Sequence, residues 1–461
     1  MNTKEAYQQA LDYIYSYVDY SLKRQDELSA EKFDLARMRA LMTALGNPER
    51  SYPLIHIAGT KGKGSVASFC SGALQAAGYR VGLYTSPHLQ DFAERMQVNG
   101  KQIDHSEVVK LVDEIKPQIE SIPFVTTFEI TTALAFLQFS RQNVTAAVIE
   151  VGLGGRLDAT NICRPDVTVI TSLSYEHTYV LGETLAEIAG EKAGIIKSGV
   201  PLVLAPQKEE ARAVVEAVAA ERGAPLVQVG RDYCFSPLNR SLDGQTLKVW
   251  SAADSALKGA DVGSGGETGS GSVTLDIPLL GYHQVENAAV AYATLQVANQ
   301  HGLPVSDVAI QKGFREVVWP ARFELLQHDP PVIVDSAHTV DSARKLQLTM
   351  DDYFSDKQVV LVFGVSEDKN VAGMLTELTP RISQVIATRS IHPRAMEPEK
   401  IAEIAKNHGL PVIVKRTVEE ALEAAMLLSD GKKVVLATGS IFSAAGVRQA
   451  WFKKNDMPIS V

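Results

Sequence analysis

Residues 56–66 read HIAGTKGKGSV and combine glycines with a lysine and a serine between an apolar strand and a small-residue helix. The glycines let the backbone curl so that N–H groups face an anion, at Gly59, Gly62 and Gly64. Lys63 supplies a positive charge and Ser65 a hydroxyl for Mg²⁺. The usual phosphate loop has Ser or Thr directly after its lysine, whereas Gly64 intervenes here. The pattern therefore fits either a variant ATP loop or a glycine-rich turn.

Polar side chains also follow three apolar strands. Glu150 ends AAVIE, His177 follows VTVITSL, and Asp335 ends PPVIVD. Residues at the carboxyl ends of strands face the ligand crevice of an open α/β sheet. These side chains are therefore expected to face a bound ligand.

The elements that position these groups alternate between apolar strands and amphipathic helices. Helices are predicted over residues 4–48, then strands and helices through residue 206, which indicates a doubly wound α/β domain with a parallel sheet. The helix HQVENAAVAYATLQVANQHG closes this first domain, predicted over residues 1–300.

Two regions depart from this alternation. Short polar strands are predicted within 228–280, around the Gly/Ser-rich stretch KGADVGSGGETGSGS, which is typical of a flexible hairpin loop. Residues 301–318 are predicted to connect two domains. The alternation restarts in 319–461, which predicts a C-terminal Rossmann-like α/β domain. Ligands favour domain junctions, so we expect a cleft there.

Composition narrows the function classes. The 461 residues carry a net charge of −9, which disfavours nucleic-acid and membrane-surface binding. The three cysteines lie far apart, which disfavours a disulfide framework or a zinc site. No signal peptide and no apolar run near the ~20 residues of a membrane span are recognised. These features predict a cytoplasmic protein.

Further motifs occur in order along the chain: SPHLQDFAER, EVGLGGRLDATN, YEHTYVLG, IAGEKAGII, GYHQVENAAVA, WPARFE, DSAHT and TGS. With the loop, the set resembles the folylpolyglutamate synthase/dihydrofolate synthase family of the Mur ligase group, over about residues 50–445. The resemblance identifies the loop as a variant ATP loop. It implies that ATP phosphorylates a carboxylate and that the amino group of L-glutamate then attacks the acyl phosphate. Mg²⁺ is implied as cofactor and a monovalent cation such as K⁺ as a further one.

The resemblance also assigns residues. The implied ATP contacts are Gly59, Thr60, Lys61, Gly62, Lys63, Gly64, Ser65, Val66, Asn287, Arg322 and Asp335. The implied metal ligands are Ser65, Ser86, Glu150 and His177. Pterin or folate contacts fall on Thr126, Phe128, Asp158 and Ala159, and glutamate contacts on His338 and Ser440. The implied catalytic residues are Lys192, His338 and Arg322, and Lys192 is a candidate for carbamylation by CO₂.

Several positions depart from the family's usual residues. Lys61 stands where Asn is usual, and Glu176 where Asp usually precedes the histidine. Ala321 replaces a usual Gly, while Ser336 and Thr339 make DSAHT out of the common DGAHN. The residues implied in ATP and metal binding are retained, so the departures affect mainly the prediction of which acceptor is used. Lys61 adds a positive charge beside the phosphates.

The leading hypothesis is a monomeric ligase that joins L-glutamate to dihydropteroate, to reduced folates, or to both. A Mur-type ligase with another acceptor is an alternative, although EVGLGGRLDATN and SPHL favour the folate branch. A phosphate-loop kinase or ATPase would leave the second α/β domain unexplained. A non-catalytic nucleotide-binding scaffold is disfavoured because Lys63, Glu150 and His177 are all present.

Overall fold

The computed structural model describes residues 2–18, 34–253 and 271–458. They form two compact units that are not contiguous in sequence. The first lies within residues 1–239, 246–277 and 285–317, and the second within 240–245, 278–284 and 318–461. Within the described ranges, no helix has the length and apolarity required to cross a membrane.

The first unit is built on an eight-stranded sheet in the order β4-β3-β2-β5-β1-β6-β7-β8. Strands β2 and β5 to β8 pair in parallel with β1 or with one another, whereas β3 and β4 extend one edge antiparallel. The strands are β1 Leu54–Ala58, β2 Val81–Tyr84, β3 Met96–Val98, β4 Lys101–Gln102, β5 Ala146–Glu150, β6 Val167–Ile170, β7 Leu202–Leu204 and β8 Leu226–Gln228.

β1 lies between β5 and β6, and all three strands are fully buried. Their carboxyl ends therefore meet at one edge of the sheet, where the phosphate loop, Glu150 and the residues after β6 come together. The helices up to residue 315 are α1 Thr3–Tyr15, α2 Leu35–Ala44, α3 Lys63–Ala76, α4 His105–Ser121, α5 Thr127–Arg141, α6 Thr178–Leu181, α7 Leu185–Ala193, α8 Glu209–Glu221, α9 Tyr282–Gln300 and α10 Asp307–Arg315.

A three-stranded sheet in the order β11-β10-β9 matches the predicted polar strands. Its strands are β9 Tyr233–Ser241, β10 Gly244–Ser251 and β11 Ser272–Ile277. Of the predicted Gly/Ser-rich loop, residues 258–270 lie outside the described residues. The stretch 301–318, predicted as a connection, contains α10, and residues 285–317 belong to the first unit.

The second unit has a six-stranded sheet in the order β12-β13-β17-β14-β15-β16, parallel except for β12. Its strands are β12 Glu324–His328, β13 Pro331–Val334, β14 Val359–Phe363, β15 Ile382–Ala387, β16 Val412–Val414 and β17 Val434–Thr438. Its helices are α11 Val340–Tyr353, α12 Val371–Leu378, α13 Pro398–Asn407, α14 Val418–Ser429 and α15 Ile441–Lys454. The predicted fold class, with two α/β domains and a small added β region, is confirmed.

Candidate active site

The phosphate loop joins β1 to α3 by a turn that glycine makes possible. Gly62 precedes the helix with φ +90°, in the left-handed region that favours glycine. A Cβ there would lie 2.3 Å from Asn287 Oδ1, so the side chain of Asn287 packs directly on the loop. The helix begins at Lys63, which places Gly64 inside its first turn. The predicted ATP contact Asn287 is thus brought to the loop.

The loop is held by the segment that follows β6. The N–H groups of Thr60 and Lys61 both donate to the carbonyl of Ser172, at 3.0 and 3.1 Å. The Thr60 hydroxyl donates to the carbonyl of Ser174 at 3.2 Å. These two N–H groups are therefore committed to the protein rather than turned toward an anion, which differs from the arrangement expected for the whole loop.

Glu150 links the loop to the SPHL motif. One of its carboxylate oxygens accepts the N–H of Ser86 at 3.1 Å, and the other lies 3.9 Å from Lys63 Nζ. The glutamate is buried at the end of β5, and Ser65 is buried in the first turn of α3. The structure thus brings together Lys63, Ser86 and Glu150. His177 is the N-cap residue directly before α6, with φ +53°, in the segment that holds the loop.

These donors suit Mg²⁺. Within the described ranges, no three His, Cys, Asp or Glu side chains form a cluster that could hold a metal ion. Mg²⁺ does not need one, because proteins commonly hold it through one or two carboxylates, with waters and substrate phosphates completing its shell. A single buried carboxylate beside serine hydroxyls and a phosphate loop has that character.

Lys192 is buried against the phosphate loop. Its Nζ donates to the carbonyl of Gly59 at 3.0 Å. Burial, together with the positive charges of Lys63 and Lys61, lowers the pKa of Lys192 to about 7, although Glu176 acts in the opposite direction. A lysine in EKAG at this position is therefore partly neutral near pH 7, unlike an ordinary helix lysine.

The predicted acceptor residues lie around the loop that follows β5. Asp158 is buried and organises this loop, because its carboxylate accepts the N–H groups of Leu153 and Thr160 at 2.9 and 3.0 Å. Ala159 follows it, buried in a short 3-10 helix. The ring of Phe128 covers Gly152, where an added Cβ would lie 2.3 Å from the ring. Thr126 caps α5 through a reciprocal capping box with Glu129.

Sequence reasoning missed a buried histidine beneath this loop. His56 on β1 lies 2.8 Å from the Thr160 hydroxyl, which in turn donates to Asp158 at 2.5 Å. Complete burial lowers the pKa of His56 to about 3, so the imidazole is neutral. The only available signal was its place directly before the phosphate loop, which does not reveal the contact with Thr160.

In the second unit, Asp335 directly follows β13 and is buried. Its carboxylate oxygens accept the N–H groups of Phe323 and Ala337, each at 2.8 Å, while burial raises its pKa. Arg322 lies between Ala321 at φ +56° and Phe323 at φ +48°, an uncommon pair of left-handed residues. The structure therefore gathers Arg322 and Asp335 at one strand end.

The predicted glutamate contacts lie in the same unit. His338 Nδ1 is 2.8 Å from the carbonyl of Ser336. The hydroxyl of Ser440 caps α15, accepting the N–H of Ser443 at 3.0 Å. Both residues follow parallel strands that are neighbours in the sheet, β13 and β17.

Two domain families match successive parts of the chain, in the same order as its units. Residues 57–295 match the Mur ligase middle domain, and residues 321–441 match the Mur ligase glutamate ligase domain. A dihydrofolate synthase/folylpolyglutamate synthase from Bacillus subtilis is 33% identical over 96% of this chain and 99% of its own length.

Solved structures agree in fold. Folylpolyglutamate synthase of Mycobacterium tuberculosis complexed with ADP has a TM-score of 0.85 and 32% identity, covering 98% of this chain and 99% of its own. E. coli FolC in complex with DHPP and ADP has a TM-score of 0.84 and 29% identity, covering 97% and 98%.

The phosphate loop, the buried strand-end carboxylate and the two matched domains define an ATP-dependent ligase of the Mur type. The chain belongs to the folylpolyglutamate synthase/dihydrofolate synthase family. It is therefore a glutamate ligase, and the predictions of family and enzyme class are confirmed. This membership favours the leading hypothesis over the kinase and scaffold alternatives.

Proposed function

We propose that the chain joins L-glutamate to dihydropteroate and to reduced folates, with ATP as co-substrate. The observation that carries the proposal is the contiguity of two sites on one sheet edge. The phosphate loop with Lys63 follows β1, and Glu150 is the last residue of β5. Gly152 and Asp158 follow β5 directly, and the ring of Phe128 from α5 covers Gly152. An acceptor bound on that face would have its carboxylate close to the nucleotide. Relatives named for both activities match over nearly their whole length.

In the first step, an oxygen of the acceptor carboxylate forms a bond to the γ-phosphorus of ATP, and the bond to ADP breaks. Lys63 and the N-terminus of α3 stabilise the negative charge on the phosphates. Arg322, with its planar guanidinium, supports the charge that develops in transfer. Asp335 binds the ribose hydroxyls, and Asn287 supports the loop. Val66 and the loop glycines complete the nucleotide contacts, whereas the N–H and the hydroxyl of Thr60 are bonded to the segment after β6.

In the second step, the nitrogen of L-glutamate attacks the acyl carbon and phosphate leaves. The Ser336 carbonyl can only accept, so a neutral His338 carries its hydrogen on Nδ1 and presents Nε2 as an acceptor. That nitrogen can orient the attacking amine and take its proton. Ser440 orients the amino acid at the neighbouring strand end.

Mg²⁺ would be held by Glu150, Ser65, Ser86 and His177. When bound, it would offset phosphate charge. K⁺ stays a prediction without assigned residues, and a monomer and a cytoplasmic location stay predictions from the sequence.

Carbamylation of Lys192 is part of the proposal. Only a neutral amine attacks CO₂, and the pKa of about 7 provides one near neutral pH. The reaction forms an N–C bond and releases the amine proton, which converts a cation into an anion. Protein equilibrated with ¹³C-bicarbonate should show a carbamate carbon signal by NMR that is absent from Lys192→Arg. Equal spectra from both proteins would reject the modification.

The function is tested by supplying ATP, Mg²⁺ and L-glutamate with dihydropteroate in one assay and tetrahydrofolate in another. We expect ADP release and a mass gain of one glutamyl residue on each acceptor. Glu150→Gln, which keeps the size of the side chain, should abolish both products. A mass gain on only one of the two acceptors would limit the activity to that acceptor. ADP release without any glutamylated product would reject the folate assignment.

A further inference from the structure

The phosphate loop is tied to the segment after β6 by a charged side-chain contact as well as by its backbone. Lys61 Nζ lies 2.9 Å from Glu176 Oε1. The backbone bonds from Thr60 and Lys61 reach Ser172 in the same segment. Residues 172–177, which we call the tether segment, thus hold the loop at several points, and His177 is the last residue of that segment.

The ion pair is largely shielded from water, because the Lys61 and Glu176 side chains are only 16% and 10% exposed. Solvent screens such a pair weakly, and removing one partner leaves an uncompensated charge that the surroundings tolerate poorly. The contact therefore differs from a surface ion pair, which contributes little.

Lys61 and Glu176 lie 115 positions apart, and the sequence offered no reason to link them. The structure joins them in one contact. That contact changes the expectation for Lys61, whose ammonium is directed to Glu176.

The charges nearby support the same conclusion. Lys61 and Lys63 belong to one loop, and Lys192 donates to its Gly59 carbonyl. Glu150 lies near Lys63, while Glu176 neutralises Lys61. Without Glu176, three lysines would lie at the loop with the single carboxylate of Glu150 among these residues.

We propose that Lys61 and Glu176 form a positioning pair, which fixes the tether segment and His177 against the phosphate loop and thereby sets the affinity for magnesium-nucleotide. Lys61 acts through Glu176 rather than by touching phosphate. The inference rests on the proposed function for the role of nucleotide and magnesium at this loop.

The test is a double-mutant cycle read by ADP binding, using calorimetry with the full chain. Lys61→Asn and Glu176→Gln should each weaken ADP binding in Mg²⁺ by about tenfold, the scale of a direct side-chain coupling. Lys61→Asn should add little in the Glu176→Gln background.

A second readout separates positioning from loss of folding. The gain in ADP affinity on replacing EDTA by Mg²⁺ should shrink in both single variants, because His177 is displaced, while their unfolding temperatures stay close to that of the unaltered chain. Lys110→Asn is the matched control, since Lys110 pairs with Glu107 on the exposed surface of α4. It should leave ADP affinity and its Mg²⁺ dependence unchanged.

Additive losses of ADP affinity in the double variant would overturn the proposal. If Lys61 contacted phosphate directly, Lys61→Asn would weaken ADP binding equally in the unaltered chain and in Glu176→Gln. An unchanged Mg²⁺ dependence would overturn the role assigned to His177. Both measurements record ADP binding, so neither requires the chain to ligate glutamate. An unaltered chain that binds ADP but glutamylates neither acceptor would reject the proposed function while leaving the cycle interpretable.

Discussion

At the scale of single residues, the site depends on backbone conformations that few side chains tolerate. Gly62 carries a left-handed turn into α3 beneath Asn287, and Ala321 occupies a left-handed position in WPARFE. A glycine would adopt the backbone conformation at position 321 without strain, which a sequence motif cannot show.

Gly62→Ala should weaken ADP binding at least tenfold, since its Cβ would displace Asn287 from the loop. Gly78→Ala is the control. Gly78 has φ +94° but nothing within 4 Å of an added Cβ. Both variants carry the left-handed strain of about 1–2 kcal/mol, so unfolding should report a loss of stability in each, while calorimetric ADP binding separates them. Equal ADP affinities would contradict the close packing of Asn287.

Ala321→Gly should raise the free energy of unfolding by roughly 0.5–1 kcal/mol. Relief of left-handed strain outweighs the added entropy of glycine in the unfolded chain. Ala372→Gly, on an exposed helical position of α12, should instead lower it by up to about 1 kcal/mol. Urea unfolding of both variants provides the comparison, and a loss at position 321 would contradict the strain argument.

His56 makes stability depend on pH. Its pKa is about 3 in the folded chain and 6.5 as a free side chain, so the unfolded state takes up the proton first. The free energy of unfolding is unaffected above pH 6.5 and falls below it by up to about 1.4 kcal/mol per pH unit, until about pH 3. Urea unfolding between pH 7.5 and 5 should show a shallower decline for His56→Gln. The exposed His328→Gln should parallel the unaltered chain.

At the scale of elements, the positions of functional residues follow from local rules. The apolar strands and their helical partners were predictable from periodicity, and the ends of β1 and β5 located the loop and Glu150. Two features were not predictable. β12 is a partly exposed antiparallel edge strand without a continuous apolar run, and α10 is a short helix of 9 residues inside the stretch 301–318.

Contacts formed across the sheet were equally hidden from the sequence. The pairs His56–Thr160 and Lys61–Glu176 join residues more than one hundred positions apart. One sequence gives residue types and local spacing, but tertiary packing decides which distant side chains meet.

The N-terminus of α5 provides a test at this scale. Thr126, predicted as a pterin contact, accepts the N–H of Glu129, and Glu129 accepts the N–H of Thr126. Thr126→Ala should destabilise the chain by about 1 kcal/mol, whereas Thr126→Ser, which keeps the cap, should cost little. If Thr126 also binds the acceptor, KM for dihydropteroate rises more in the alanine variant than KM for ATP. Equal stability of both variants would contradict the capping role.

At the scale of the whole molecule, the second unit is assembled from separated stretches of chain. Leu280 lies far before residue 318 in sequence, yet it is 3% exposed within the core of the C-terminal sheet. Gln245 donates to the carbonyls of Leu279 and Gly281, at 2.7 and 3.0 Å. A boundary drawn from the restart of strand–helix alternation finds the main body of this unit but not these stretches.

Leu280→Ala should destabilise the second unit by about 2–5 kcal/mol, because a buried leucine leaves a cavity. Leu348→Ala is the matched control on α11, where Leu348 is 56% exposed, and should change stability by less than about 0.5 kcal/mol. Calorimetric unfolding of both variants measures this difference in stability. Indistinguishable unfolding would contradict the membership of residues 278–284 in this core.

This discontinuity sets a rule for recombining the chain with its relatives. A chimera crossed over only at residue 318 would combine a C-terminal sheet from one parent with the 240–245 and 278–284 stretches of the other, and so place a foreign side chain at position 280 of its core. Grafts intended to change amino-acid selectivity should therefore exchange all three stretches together, even though two of them lie outside the region matched by the glutamate ligase domain.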